Sequence, residues 1–277
     1  ETGSGLDAWY AVRDKDFIFG QFIWTGTDYL GESGRWPSRG LYTGLLDFGS
    51  FPKPRGHFRA SLWCENPVTY AGTYPVYAHP KHPEHVFLSP DAWDIWNYDE
   101  GQNIRVVCYT NAPQARLLLN GRVVGEMKPY DEKTGIIYWD IPFRAGELRT
   151  EGCDKEGNAL SSYSIRTSGR PYAIRATADR TILSGDRATA HITVDEEGTV
   201  VKLGDNEITC TVEGAARLLG LEGSDNSDMS DYTDNRHRVY HGRLLAYIQT
   251  TGGEGPVKVK FASPLLKGTE VKFEVGQ

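Results

Sequence analysis

The chain has 277 residues, 39% of them apolar and 24% charged, with 31 Gly, 14 Pro and 12% aromatics. That length has room for about two domains, or three if some are β-sandwiches of roughly 100 residues, and the composition points to many turns and short strands. A formal net charge of −7 without a long Lys/Arg run excludes a phosphate-binding stripe, so nucleic acid is not an expected partner. No stretch approaches the roughly 18 apolar residues of a membrane span.

In chain order, "LDAWYAVRDKD" (6–16) spaces Leu6, Trp9, Tyr10 and Val12 at near-helical intervals before breaking into charge, which predicts a short helix. "FIFGQFIW" (17–24) is a continuous apolar run of strand length, the pattern of a strand covered on both faces. A long polar, glycine-rich stretch follows to Phe51. "PKPRGHFRASLW" then offers a second helix with Phe58 and Leu62 on its apolar face. Helix, strand, loop, helix is half of a repeating α/β unit, and nothing else in the chain alternates in that way. A doubly covered strand needs neighbours on each edge, so this segment is not expected to fold alone.

From Asn66 onward the pattern changes to short alternating strands. In "ARLLLNGRVVGEM" the pair Asn120-Gly121 joins two β runs, a strong hairpin signal because a type I′ turn needs positive φ at both central positions. With "QNIRVVCYT", "IIYWDIPF" and "SSYSIRTS" it predicts an antiparallel sandwich over about 70–168. A second β unit follows "SGRPYAI", with "NEITCTVEG", "ARLLGLEG", "RLLAYIQTT" and "PVKVKFAS" as strands and turn signals at Gly185-Asp186, Glu197-Gly198 and Gly252-Gly253. The polar insertion "EGSDNSDMSDYTDNRHR" (222–238) reads as an exposed loop. It lacks the Gly and Glu positions of a calcium-binding EF-hand loop. The fold class is therefore mainly β: two immunoglobulin-like antiparallel sandwiches preceded by a short α/β segment. The expected divisions are 1–66, 67–169 and 170–277.

No metal or cofactor is expected. Cys64, Cys108, Cys153 and Cys210 are scattered without paired spacing and read as free thiols, buried ones above all. His79, His82 and His85 recur at a spacing of three, but Pro80 and Pro83 prevent a helix from aligning them, and an inter-domain linker is the default.

"DFIFGQFIWTGTDYLGE" (16–32), with "WPSRGLYTGLLDFGSFPKPRGHFRASLW" (36–63), resembles the eighth strand, active-site loop and last helix of the catalytic barrel in glycoside hydrolase family 2, particularly its bacterial β-galactosidases. "ARLLLNGRVVGE" is similar to the immunoglobulin-like domain that follows that barrel. "DNEITCTVEGAARLLGLEG" and "HGRLLAYIQTT" are similar to a further C-terminal sandwich, and the motifs occur in the family's order. The resemblance implies that 1–66 is the end of a (β/α)8 barrel, in which residues just beyond a strand face the active site. It implies substrate-binding roles for Trp24, whose ring would cover an apolar sugar face, and for Asp28, Tyr29 and Glu32, which would hydrogen-bond sugar hydroxyls or hold the loop. Trp36 and Arg39 are assigned structural roles. The implied partner is a β-linked glycoside, and the compartment implied by analogy is periplasmic or secreted.

Retaining hydrolysis needs two carboxylates about 5–5.5 Å apart. The family takes its acid/base from an Asn-Glu pair on an earlier barrel strand. The only Asn-Glu here, Asn206-Glu207, enters a sandwich strand and is assigned no catalytic role. No catalytic residue is therefore predicted, and the chain by itself is expected to be inactive. Without a surrounding barrel Phe17, Phe19, Phe22 and Trp24 would be an apolar patch, to be shielded by a second copy, giving a homo-oligomer, or refolded against the first sandwich. A reading from another class stays open: a free-standing carbohydrate-binding or adhesive β-sandwich protein with Trp93, Trp96 and Trp139 as a stacking platform. A purely structural spacer is the third.

Overall fold

A computed structural model describes residues 6–77, 86–178, 182–183 and 193–275. His79, His82 and His85 and the Gly185-Asp186 turn signal lie outside the described residues. Helix α1 (Leu6–Asp14) is followed by the two-residue strands β1 (Tyr29–Leu30) and β2 (Gly40–Leu41), and then by helix α2 (Pro54–Trp63). Seven strands come next: β3 (Thr69–Pro75), β4 (Asn103–Thr110), β5 (Gln114–Leu119), β6 (Arg122–Pro129), β7 (Ile137–Pro142), β8 (Glu147–Cys153) and β9 (Ala159–Arg166). The rest are β10 (Ala173–Ile174), β11 (Ile182–Leu183), β12 (Thr193–Val194), β13 (Glu207–Gly214), β14 (Ala216–Glu222), β15 (Arg236–Arg238), β16 (Leu245–Thr250), β17 (Gly255–Ala262) and β18 (Thr269–Val275). The chain divides into two compact units: residues 1–28 with 43–167, and residues 29–42 with 168–277.

In the first unit a three-stranded sheet, β3-β4-β7, and a four-stranded sheet, β6-β5-β8-β9, share a core. Both are antiparallel throughout. Strand alternation explains how β4 is buried on both faces. Ile104, Val106 and Cys108 point into the inter-sheet core with Trp96, Leu117, Trp139 and Leu148, whereas Val107 and Tyr109 join Leu6, Phe58 and Tyr70 on the outer face. Helices α1 and α2 thus cover the outer side of β4, which is why Phe58 meets Tyr109 edge-on at 5.3 Å between ring centroids. The hairpin forms as its sequence predicts: Asn120 and Gly121 have φ of 52° and 75°, and β5 runs antiparallel to β6.

The second unit contains a five-stranded sheet, β11-β18-β17-β13-β15, and the pair β14-β16 around a core that includes Ile208, Leu221, Ile248, Val259 and Phe273. The predicted alternation is visible in β17, where Val257, Val259 and Phe261 are buried. The polar insertion departs from expectation. Its end forms β15 on the edge of the large sheet, with His237 buried, because a short polar strand on an edge needs only one pairing partner.

The run 17–24 also departs from expectation. It joins no sheet, and Phe17, Phe19 and Phe22 are 83%, 93% and 89% exposed. The physical cause is the one that marks such a strand in sequence: a parallel strand covered on both faces draws its backbone bonds from strands on each side, and no described strand flanks it. Nor does it refold against the first sandwich, as one expectation held; the phenylalanines stay in solvent.

Candidate functional site

The segment beyond Phe22 is ordered by polar contacts rather than by apolar burial. The Trp24 ring is 60% exposed, and the peptide bond that follows it is cis. The chain then lies beside 44–46: Leu45 N donates to Thr25 O at 3.1 Å, Leu46 N to Gly26 O at 2.9 Å and Asp28 N to Leu46 O at 2.9 Å. Gly44 permits this approach, since a Cβ there would lie 2.3 Å from Asp28 N.

Asp28 points inward. Its carboxylate accepts two bonds from Lys53 Nζ, both 2.9 Å, and one from Gly44 N at 2.7 Å, with neither side chain of the pair exposed (0%). Burial pushes the Asp28 carboxyl above the ordinary carboxylate range and the Lys53 ammonium below the ordinary lysine range, each opposed by the charge of the other. Of the two roles open to Asp28 from sequence, holding the loop is the one these contacts perform. Lys53 went unnoticed in the sequence, although one signal was present: it occupies the N-cap of α2, where the helix dipole disfavours a cation, so a lysine there needs an acid from elsewhere.

Tyr29 and Glu32 belong to the second unit. Strands β1 and β2 form an antiparallel ribbon in which Tyr29 faces Leu41 and Leu30 faces Gly40, and Gly31 N donates to Arg39 O at 3.1 Å. The Tyr29 hydroxyl donates to the Glu32 carboxylate across the turn, so these two are brought together. Glu32 is exposed, with φ of 46°. The returning strand is held by the polar insertion: Arg39 N donates to Asn226 O and Gly40 N to Asn226 Oδ1, both 3.0 Å, and Asn226 Nδ2 donates to Ser38 Oγ at 2.9 Å. Arg39 makes a bidentate pair with Glu222, their side chains 9% and 13% exposed. Sequence reasoning gave Arg39 its structural role but missed Glu222 and Asn226.

Chemically, the first unit offers an exposed indole at Trp24, and the second unit a hydrogen-bonded Tyr29–Glu32 pair. Asp28 is buried in its ion pair, so Glu32 is the one exposed carboxylate of the four candidates, and glycosidic hydrolysis takes two. Asn206-Glu207 stands at the start of β13, with Glu207 exposed and facing Arg238 across the strands. Among the described residues no group of three or more His, Cys, Asp or Glu is poised to hold a metal, and no helix is long and apolar enough to cross a membrane.

The three-tryptophan platform does not form, because Trp96 and Trp139 are core residues at 0% and 3% exposure. Sandwiches bury tryptophan for its large apolar area. Trp93 instead lines an open cavity of about 510 Å³ in the first unit, together with Tyr74, Tyr77, Phe87, Tyr98 and Arg105.

Residues 174–272 match the description "Glycoside hydrolase family 2 C-terminal domain 5", and residues 101–161 match a domain of unknown function. The chain is 31% identical over 269 residues to the β-galactosidase BoGH2A of Bacteroides ovatus, an alignment covering 95% of this chain and 29% of that protein. It is 24% identical to a putative β-glucuronidase of Formosa agariphila, over 87% of this chain and 22% of that protein. The chain thus spans under a third of the length of the curated relatives it matches. A solved glycosyl hydrolase family 2 member from Bacteroides cellulosilyticus superposes with a TM-score of 0.89 at 24% identity, over 100% of this chain and 38% of that one.

Proposed function

We propose, from the premise that this chain belongs to glycoside hydrolase family 2 and carries C-terminal domains of that family, that it serves a retaining hydrolase of terminal β-galactosides. In this reading residues 17–24 are the last strand of the catalytic barrel, Trp24 is the platform against the cleaved sugar, and Tyr29 and Glu32 meet its hydroxyls. Asp28 sets the loop. The observation that carries it is the exposed run Phe17, Phe19 and Phe22, ending in Trp24 and followed at once by an ion-pair-locked loop. Four large aromatic side chains left in solvent beside an ordered segment are what a barrel strand looks like without its neighbours. The galactoside preference is supported by the relative at 31% identity, which is a β-galactosidase.

Hydrolysis by retention takes a nucleophile and an acid/base, and neither role is assigned to a residue of this sequence. The chain contributes binding: a pyranose presents C–H groups on its faces and hydroxyls at its rim, chemistry that an indole suits at the face and a Tyr–Glu pair suits at the rim. The test has two arms. Purified 1–277 should not turn over nitrophenyl β-galactoside, β-glucuronide or β-mannoside above background, and turnover surviving repurification would refute the assignment of the active site. In a polypeptide that also carries the preceding barrel, Trp24→Ala should lower kcat/KM on the galactoside about thirtyfold, the equivalent of about 2 kcal/mol of lost aromatic burial.

The cavity at Trp93 favours a second reading, glycan binding by the first sandwich, since about 300–1,000 Å³ with aromatic walls is the size and lining of a small-molecule site. Glycan retention that Trp93→Ala abolishes and Trp24→Ala leaves intact would favour it over the first.

A further inference from the structure

We infer that the C-terminal sandwich is a positioning device for the substrate loop, acting through Glu222 and Asn226 on the ribbon that carries Tyr29 and Glu32. This rests on the proposed role of Tyr29 and Glu32 as sugar contacts. The holding itself is read directly from the second unit.

The ribbon has little to hold it by burial. Its paired residues number two on each side, Leu30 and Trp36 are exposed, and a two-stranded ribbon of this size is not stable in water by itself. Its order comes from residues remote in sequence. Asn226 satisfies three groups of the returning strand at once, accepting from Arg39 N through its backbone and from Gly40 N through its side chain, and donating to Ser38 Oγ. Glu222 adds the two-pronged bond to the Arg39 guanidinium and accepts from Ser224 N, which ties the same carboxylate to the start of the insertion. Tyr42 and Tyr240 meet hydroxyl to hydroxyl at 3.5 Å. A bidentate guanidinium–carboxylate pair fixes direction as well as distance. The register it imposes carries through the Leu30–Gly40 pairing to Gly31, whose backbone brings Glu32 round to Tyr29.

The composition of the insertion now has a use. Its Asp residues close local turns, with Asp225, Asp228 and Asp231 each accepting from an amide two residues on, so the strand-remote residue Asn226 is presented by a pre-shaped loop. Pre-organisation of this kind keeps the ordering cost out of substrate binding. Loosening it should therefore appear as weaker binding, not as a slower chemical step.

The experiment uses Asn226→Ala and Glu222→Gln, the second retaining shape and one amide oxygen so that the sandwich stays folded. In 1–277, hydrogen exchange at the amides of Gly31 and Gly40 should accelerate about tenfold or more in each variant, while the amides of β17 keep the wild-type rate. Unchanged exchange in the ribbon would overturn the inference. In the polypeptide with the preceding barrel, KM for nitrophenyl β-galactoside should rise about tenfold with kcat within about twofold of wild type. A loss confined to kcat, as unfolding of part of the sample gives, or an unmoved KM beside a loosened ribbon, would also overturn it. Failure of the glycosidase reading is distinguishable: the wild-type long polypeptide would then be inactive, and the exchange arm would still decide whether the sandwich holds the ribbon.

Discussion

Replacing Asp28 by Asn removes one charge from a pair neither of whose side chains reaches solvent. The side chain keeps its shape, and its amide oxygen can still accept from Gly44 N, so the change isolates the charge on Lys53. An ammonium with no exposed surface then lacks its counter-charge, and breaking a buried pair from one side costs on the order of 3–5 kcal/mol. The penalty falls on the segment the pair holds. Hydrogen exchange at Asp28 N, Leu46 N and Lys53 N, the amides that pin 25–28, 44–46 and the start of α2 together, should accelerate at least a hundredfold. Amides of β5 and β8 serve as the internal standard. Adding Lys53→Met removes the stranded cation and keeps an unbranched chain of similar volume, so the double variant should recover to within about 1–2 kcal/mol of wild type. The single variant Lys53→Met makes the complementary test through pH. Burial already holds the Asp28 pKa above the ordinary value, and removing the cation that opposes the shift raises it further. A carboxyl whose folded pKa exceeds its unfolded pKa takes up more protons in the folded state, so the loop should be tightest below about pH 4 and open as pH rises through the raised pKa. Two results would refute the reasoning: acceleration below about tenfold in Asp28→Asn, or a double variant as open as the single one.

Thiol chemistry and association give two further tests. Cys108 and Cys210 are buried, and burial pushes each thiol up to about 12, so a thiol reagent at pH 8 should label Cys64, the exposed cysteine, in the folded chain and reach Cys108, Cys153 and Cys210 only on unfolding; rapid native labelling of Cys108 would contradict its place in the sandwich core. The aromatic run should make 1–277 self-associate, and light scattering should show a shift toward monomer for Phe17→Ser/Phe19→Ser/Phe22→Ser; a wild-type monomer at high concentration would count against shielding by a second copy.

What was legible in the sequence was local. Helices α1 and α2, the Asn120-Gly121 hairpin and the alternation of β17 each rest on a pattern within about a dozen residues, and they formed as read. The run 17–24 shows the limit. Its composition predicts a covered strand, but coverage is a property of neighbours, and without described strands beside them these residues are exposed coil. The candidate site residues came from the resemblance alone, and the contacts they make were opaque in the sequence. Nothing in "FPKPRG" says that Lys53 lies under Asp28, and nothing in an Asp-rich insertion says that Glu222 reaches an arginine 183 residues earlier. Polar pairs across such separations leave no periodicity to read, because each is one contact and not a repeating face.

Those two pairs explain why a long, glycine-rich loop is ordered at all. Between Trp24 and Lys53 the chain passes from the first unit to the second and back, and each unit secures its part with one nearly solvent-free carboxylate and one cation: Asp28 with Lys53, Glu222 with Arg39. As sources of stability such pairs are poor, since desolvation consumes most of the attraction and apolar replacements often do as well. As constraints they are strong, because any arrangement that separates the partners strands a charge. On the proposed reading, in which Trp24 of the first unit and Tyr29 and Glu32 of the second meet a sugar, each segment needs its backbone fixed while these side chains stay available to the ligand, which rules out fixing it by burying them. Apolar replacement of both partners of each pair should accordingly preserve the stability of the two units and loosen the loop by no more than about 1–2 kcal/mol, whereas removing one partner opens it far more, the contrast that separates a constraint from a source of stability.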